Sequence, residues 1–450
     1  MADTKFSDLR IEYQSVSSLK PIAHNARTHS KKQLHQIAAS IREFGFTNPV
    51  LIDRSNTIIA GHGRIDAAKI LGLDQVPTIQ IEHLSEAQKR AYVIADNKLA
   101  DNAGWDPDIL AIEFQHLSSI DVNFELEITG FDTAEIDLLV DGAHKPDAIG
   151  DRIPPTGGPP VTQRGDLWLL GDHRIICGDA RDAAVFEQLM AGDTARLAFT
   201  DPPYNVPIDG HVCGLGLVKH REFAMASGEM TAREFTAFMH TIFMNAAEVS
   251  ADGAIHFVCM DWRHVEEVMR ASKGAYSELK NICVWNKDNG GMGSFYRSKH
   301  ELVFVLKVGN APHLNTIELG RSGRYRTNVW DYAGVNSMRA GRLDDLAMHP
   351  TVKPVALVID AIKDCSRRDD LVLDPFGGSG TTLIAAEKSR RRARLIEIDP
   401  AYVDVAIRRW QKLTGGSATH GASGHTFSDV AKDQPLQPLQ SNRGHKYEGI

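Results

Sequence analysis

Leu371-Val372-Leu373-Asp374-Pro375-Phe376-Gly377-Gly378-Ser379-Gly380-Thr381-Thr382 is the stretch whose reading decides the fold. An apolar run gives way to glycines and then to an Ala- and Leu-rich run, which reads as strand, glycine loop and helix. Glycines let a backbone come close to a ligand, and the following helix N-terminus offers it unpaired N–H groups. The loop is neither Gly-x-Gly-x-x-Gly nor a loop ending in Gly-Lys-Ser/Thr, so neither a dinucleotide nor a triphosphate is favoured. A second apolar run, residues 393–396, leads to Glu397, about 20 residues beyond the loop, the spacing at which an acid meets a ribose hydroxyl in nucleotide-type sites. Asp399 is the competing acid.

Working outward from that loop, a second strand-like run, Leu197-Ala198-Phe199, ends in Asp201-Pro202-Pro203-Tyr204. Two prolines stop a strand and stiffen the backbone after it, and because Pro has no N–H they leave carbonyls free for another partner. Such a corner suits a flat heterocycle bearing an amino group. Asp201 and the Pro202 carbonyl accept its two N–H hydrogens, and Tyr204 stacks on the ring. The plain alternative is a Pro-rich turn with a solvated Asp.

The two motifs together resemble an amino-directed DNA methyltransferase that uses S-adenosylmethionine, in the permuted order called the beta class, over residues 164 to 415. His349-Pro350-Thr351-Val352-Lys353-Pro354 matches that family's cofactor-side motif. The resemblance implies an α/β, Rossmann-like fold with a mostly parallel sheet. It also implies a cofactor site made of Asp179, Lys353, Asp374, Phe376, Gly377, Gly378, Gly380, Thr381 and Glu397. In it Phe376 borders the methionine part, Glu397 the ribose, Lys353 the carboxylate end, and Asp179 the adenine; for Asp179 a simple strand-end turn is the alternative. Catalysis falls to Asp201, Pro202, Pro203 and Tyr204, with an adenine flipped out of the duplex and methylated at N6. Asp at the first motif position resembles the adenine enzymes; N4-cytosine methylation by the same apparatus is the rival. Ring-carbon methylation needs a cysteine nucleophile, and no Cys adjoins the prolines.

Residues 11–90 read as a small α/β module. A helical stripe (Leu34, Ile37, Ala38, Ile41) precedes two short strands, and Gly61-His62-Gly63-Arg64 then opens a helix. Gly61, Gly63 and Arg64 make a candidate anion cradle. Residues 33–77 resemble the ParB/sulfiredoxin-like domain, whose members bind nucleotides or act around DNA. No cysteine precedes Cys177, so sulfiredoxin-type chemistry is excluded. A DNA-binding or nuclease protein with a silent second domain is therefore the competing class. The expected layout is a ParB/sulfiredoxin-like domain over 1–100, a helical connector over 101–144, a Pro/Gly-rich linker over 145–163, the methyltransferase over 164–415, and a polar, disordered tail over 416–450.

Candidate DNA contacts lie at strand ends and in a basic insertion. Lys287 and Arg297 flank a glycine-rich turn, while Arg321, Arg324 and Arg326 stand among aromatics in residues 313–346, where the family keeps its target-recognition region. A charged surface excursion is the alternative. Residues 205–230, rich in glycine and basic side chains, read either as a loop over the active site or as a solvated one. Residues 388–394 read as a basic solvated turn.

At 450 residues the chain can hold two or three domains, and 42% apolar with 24% charged residues is ordinary globular composition. A net charge of -8 argues against a wholly basic nucleic-acid binder but leaves room for local clusters. Five widely spaced cysteines without Cys-x-x-Cys fit reduced thiols, and no metal-ligand spacing occurs. There is no apolar signal core at the N-terminus and no run long enough to cross a membrane, so the expected compartment is the cytoplasm. The expected partner is double-stranded DNA, with a homodimer left open.

Overall fold

The computed structural model describes residues 9–22, 27–119, 124–142, 153–154, 159–205, 228–287, 295–317, 326–332 and 353–433. It divides into two compact units, Met1–Lys145 and Pro146–Ile450. The first unit runs β1 (Ile11–Ser15), α1 (Lys31–Phe44), β2 (Val50–Ile52), β3 (Ile58–Ala60), α2 (His62–Leu71), β4 (Gln75–Gln80), α3 (Glu86–Asp101), α4 (Pro107–Ser119) and α5 (Thr133–Gly142). Its sheet has the order β1-β4-β2-β3. Val50, Ile52, Ile58, Ile65, Ala68 and Val76 form the small core between sheet and helices. Helix α1 starts where Ser30 Oγ accepts from Gln33 N, and α3 starts in a reciprocal Ser85–Gln88 capping box, which satisfies amides the first turn would leave orphaned. Helices α4 and α5 close on their own core of Phe114, Leu126 and Ile136.

The second unit contains β5 (Leu167–Leu170), β6 (His173–Cys177), α6 (Ala183–Met190), β7 (Ala195–Thr200), α7 (Ala232–Glu248), β8 (Ser250–Met260), α8 (Val265–Ala271), β9 (Glu278–Asn286), β10 (His300–Lys307) and β11 (Val329–Asp331). It continues with α9 (Val355–Cys365), β12 (Leu371–Asp374), α10 (Thr381–Ser389), β13 (Arg392–Glu397), α11 (Pro400–Thr414), β14 (Thr419–His420) and α12 (Phe427–Asp433). The sheet order is β11-β9-β10-β8-β7-β12-β13-β6-β5-β14. Strands β8-β7-β12-β13-β6 form a parallel centre, flanked by antiparallel pairs on both sides. Alternation along β7 shows why both faces are covered: Leu197 and Phe199 enter the core with α9, α10 and α11, and Ala198 enters the core with α6, α7 and α8. The result is a three-layer, Rossmann-like α/β unit. Strand order reverses between β7 and β12, and in open α/β sheets the crevice beyond the carboxyl ends at such a point is where ligands bind.

Three expectations need correction. Residues 416–433 are not a disordered tail: β14 pairs with β5, and Ala418 and Phe427 are buried in the main core. The end of the supposed linker is structural too, because the backbone amides of Val161 and Thr162 donate to the buried Asp404 carboxylate on α11. Nor are residues 388–394 a solvated turn. Arg391 and Arg394 are buried, the first donating to the Ser366 carbonyl and the second to Asp193. An arginine whose fork meets carbonyls and a carboxylate can be interior, which charge counting does not reveal.

Candidate active site

Strands β7 and β12 are parallel neighbours, so the residues that follow them emerge at the same sheet edge. Asp201-Pro202-Pro203-Tyr204 follows β7, and Phe376 to Gly380 follows β12. Asp374, the last residue of β12, is buried, and so is Thr200, the residue before Asp201. Tyr204 packs against both cores, and Phe376 joins the α7 side. Strand β9 ends and antiparallel β10 begins at this same edge, where Asn286 pairs with His300, bringing Trp285, Lys287 and Glu301 to the site.

The polar atoms of the Asp-Pro-Pro-Tyr corner form one network. Lys353 Nζ, on a side chain only 3% exposed, lies 2.6 Å from Asp201 Oδ2 and 3.0 Å from Glu301 Oε2, and donates to the Tyr204 hydroxyl at 3.1 Å. Three ammonium hydrogens meet three acceptors, which is what makes burial of a lysine tolerable. The Tyr204 hydroxyl carries a single proton, with Asp201 Oδ1 at 2.7 Å and Glu301 Oε2 at 3.0 Å as its acceptors. Lys287 closes the network on Glu301 Oε1 and lies over the Trp285 ring at 4.6 Å. Burial pushes the Glu301 carboxyl up, but Lys353 and Lys287 outweigh it and hold that group well below the usual range. Asp201 shares one lysine and faces Glu301, so burial wins and its carboxyl is raised. Burial also raises the Tyr204 phenol far above its usual value. The two carboxylates are pushed in opposite directions.

The glycine loop is built by backbone constraint. Gly380 caps α10 at φ 82°, and a Cβ there would stand 2.8 Å from the Ala406 Cβ on α11. Asp374 Oδ1 accepts from Phe376 N at 3.0 Å, and Glu397 accepts from the amides of Gly378 and Asp399, each at 2.8 Å. Burial pushes the carboxyls of Asp374 and Glu397 up to about 7. Asp399 Oδ1 caps α11 by accepting from Ala401 N. Arg409, buried on α11, donates to the Ser379 carbonyl and Thr381 Oγ1 and fixes the loop from below. Asp179 follows β6, the strand beside β13, and its carboxylate is paired with Arg181.

Several sequence expectations change. The resemblance puts Lys353 at the cofactor's carboxylate end; its ammonium is directed at Asp201, Glu301 and Tyr204 instead. Arg326 is not a DNA contact. Its guanidinium stands 2.9 Å from Asp364 and 3.3 Å from Asp360 and lies over the Trp330 ring. Lys287 is paired with Glu301. Arg297 is exposed beside exposed Phe295 and Tyr296, on a segment tied to the residues after β8 by Trp262 Nε1 donating to Ser298 Oγ. Arg321, Arg324, the 206–227 loop and residues 349–352 lie outside the described residues. In the first unit Arg64 turns back to donate to the carbonyls of Asn48 and Pro49, so Gly61, Gly63 and Arg64 do not converge on an anion. A cavity of about 220 Å³ lies on the other side of α2, lined by Arg27, His29, His62, Asp66 and Lys69 among others. Sequence reading missed Glu301 and Arg409 altogether. Glu301 stands next to an apolar run with no motif around it, and only the pairing of β10 with β9 reveals its neighbours.

A Rossmann-like sheet with an acid-tipped proline corner beside a glycine loop is the architecture of a nucleotide-type group-transfer enzyme. Family models match over three stretches: DNA methylase over residues 195–408, ParB-methyltransferase HTH domain over 108–164, and ParB N-terminal domain over 2–98. The DNA adenine methyltransferase YhdJ of Escherichia coli K12 is 42% identical over 264 residues, covering 52% of this chain and 81% of that protein. The ParB-like nuclease domain-containing protein YnaK, also of Escherichia coli K12, is 52% identical over 82 residues, 18% of this chain and 94% of that protein. Among solved structures, the M1.HpyAVI-SAM complex superposes with a TM-score of 0.39 at 18% identity, covering 52% of this chain and 97% of that one. The chain belongs to the DNA methylase family and carries a ParB-like domain fused ahead of the methyltransferase.

Proposed function

We propose that the protein transfers the methyl group of S-adenosylmethionine to the exocyclic N6 of adenine in double-stranded DNA. The observation that carries this reading is the emergence of residues 201–204 and 376–380 from adjacent parallel strands, so that one crevice serves both reactants. The loop suits the cofactor: Gly378, at φ 49°, has only the Phe376 carbonyl within 4.0 Å of where a side chain would start, which leaves backbone open to close approach. In this reading Asp374, Phe376, Gly377, Gly378, Gly380, Thr381, Glu397 and Asp179 hold the cofactor. When bound, it supplies a sulfonium methyl, an electrophilic carbon. Asp201 and the Pro202 carbonyl each accept one N–H of the target amine, which draws its lone pair out of conjugation with the ring. Pro203 keeps the corner stiff, and Tyr204 offers its ring to a base turned out of the duplex. As the C–N bond forms and the S–C bond breaks, the amine's surplus proton leaves to Asp201 or to water.

Asp at the first motif position and the similarity to a relative named as an adenine methyltransferase support adenine as the base. Exposed Arg297 and its aromatic neighbours we assign to DNA, and the ParB-like unit to positioning on the duplex. The test is nucleoside analysis of DNA incubated with the protein and S-adenosylmethionine. N6-methyladenine is the expected product; N4-methylcytosine alone would overturn the choice of base, and strand cleavage without methylation would overturn the enzyme class.

A further inference from the structure

The polar side-chain atoms of the Asp-Pro-Pro-Tyr corner are held from outside by Lys353, just ahead of α9, which meets Asp201 Oδ2 and the Tyr204 hydroxyl, and by Glu301, at the start of β10, which accepts from that hydroxyl; Asp201 Oδ1 accepts from Tyr204 itself. We propose that Lys353 and Glu301 are positioning residues for methyl transfer: Glu301 fixes the Lys353 ammonium, and Lys353 holds the Asp201 carboxylate ionised and oriented toward the incoming amine. This rests on the reading of Asp201 as an acceptor of that amine.

An ammonium with three hydrogens and three acceptors has a unique position, so Lys353 cannot swing without abandoning a bond in a nearly dry site. Asp201 then receives the ammonium on Oδ2 and the phenol on Oδ1. Each oxygen keeps a further lone pair for the substrate, and the side chain remains 25% exposed. Charge acts alongside geometry. Groups facing Asp201 come from five elements besides its own: Lys353 ahead of α9, Glu301 on β10, Cys259 on β8, Asp374 on β12, and Lys287 behind Glu301 just after β9. Of these only the two lysines are cationic, and only Lys353 touches Asp201. Without it, Asp201 would be a largely enclosed carboxyl facing Glu301 and Asp374 with no cation beside it, and would take up a proton more readily. A protonated Asp201 offers a hydrogen where the amine needs an acceptor. Glu301 acts with the opposite sign: its negative charge raises Asp201, while its bonds to Lys353 and Tyr204 set where both stand.

The two residues should therefore shift the acid limb of activity in opposite directions. Single-turnover methyl transfer to duplex DNA is measured against pH for wild type, Lys353→Met, Lys353→Arg and Glu301→Gln in the full-length protein, with binding of S-adenosylhomocysteine measured alongside. The proposal expects the acid limb of Lys353→Met to move up by about one pH unit or more, that of Lys353→Arg to return most of the way, and that of Glu301→Gln to move down while its plateau rate falls. Affinity for S-adenosylhomocysteine should stay within a few-fold of wild type in all three. A fall in rate that is uniform in pH for both residues would overturn the proposal, as would a large loss of S-adenosylhomocysteine binding in Lys353→Met, which would return Lys353 to the cofactor. Should Lys353→Met fail to fold, Lys353→Gln and the sign of the Glu301→Gln shift decide alone. Asp201→Asn is the separate control. If it transfers methyl like wild type, the underlying reading of the acceptor fails, whatever the lysine does.

Discussion

At the scale of single residues, the same side-chain type takes opposite roles according to what it faces. Arg297 is exposed at the active edge, while Arg326, a few tens of residues on, is enclosed by Asp360, Asp364 and Trp330. Removing one partner of a buried charge cluster leaves the others uncompensated, at a cost of roughly 3 kcal/mol. Arg326→Ala is thus expected to lower the stability measured by urea unfolding by that much and to leave DNA affinity of the folded protein unchanged. A variant of normal stability with weakened DNA binding would contradict the placement. Glu397 gives a second test. Burial raises its carboxyl from the 4.5 of a free glutamate to about 7, so the folded state binds a proton that the unfolded state releases. Its stabilising effect is full below about pH 4.5 and is lost as pH climbs to 7. Replacing Glu397 with Gln removes this dependence but sets an amide against two backbone N–H donors. The deficit of Glu397→Gln relative to wild type should therefore shrink between about pH 5 and pH 8 in thermal melts. A deficit that widens over that range would contradict a raised carboxyl.

At the scale of elements, the glycine loop was legible because its constraint is local: strand, left-handed glycine and helix are adjacent in sequence. Gly380 must be glycine for two reasons, a positive φ and the Ala406 side chain 2.8 Å from where a Cβ would stand. Backbone strain and overpacking together should cost Gly380→Ala about 2–4 kcal/mol, read as a drop in melting temperature and loss of cofactor binding. A variant as stable as wild type would show that α11 does not press on the loop. What sequence could not show is closure by distant partners. Residues 416–433 are polar and glycine text apart from Ala418, Ala422, Phe427, Val430 and Ala431, too sparse for any periodicity, and only pairing with β5 and packing on Trp168 gives them a place. Lys353 was legible as a motif residue, but its partner Glu301 was not, because a charge at the start of a strand carries no signal of the lysine it meets. Residues 101–144 read in sequence as a plain helical connector, although the HTH match begins among them, at residue 108.

At the scale of the whole molecule, each unit has its own core, and the chain's net charge of -8 is no obstacle to DNA. The contact surface needs only local positive charge, and at this edge Lys287 and Lys353 stand inside the Asp201–Glu301 network while Arg297 and Lys299 are exposed. The Asp201 corner and the glycine loop open on one sheet edge, and the proposed chemistry depends on that meeting. The most direct test is transfer of labelled methyl from S-adenosylmethionine to duplex DNA by wild type and by Asp201→Ala, both checked for folding and cofactor binding. The account predicts label in N6-methyladenine with wild type and a loss of at least about a hundredfold, on the order expected for removing a preorganised acceptor, with Asp201→Ala. Equal transfer by the two proteins would contradict it.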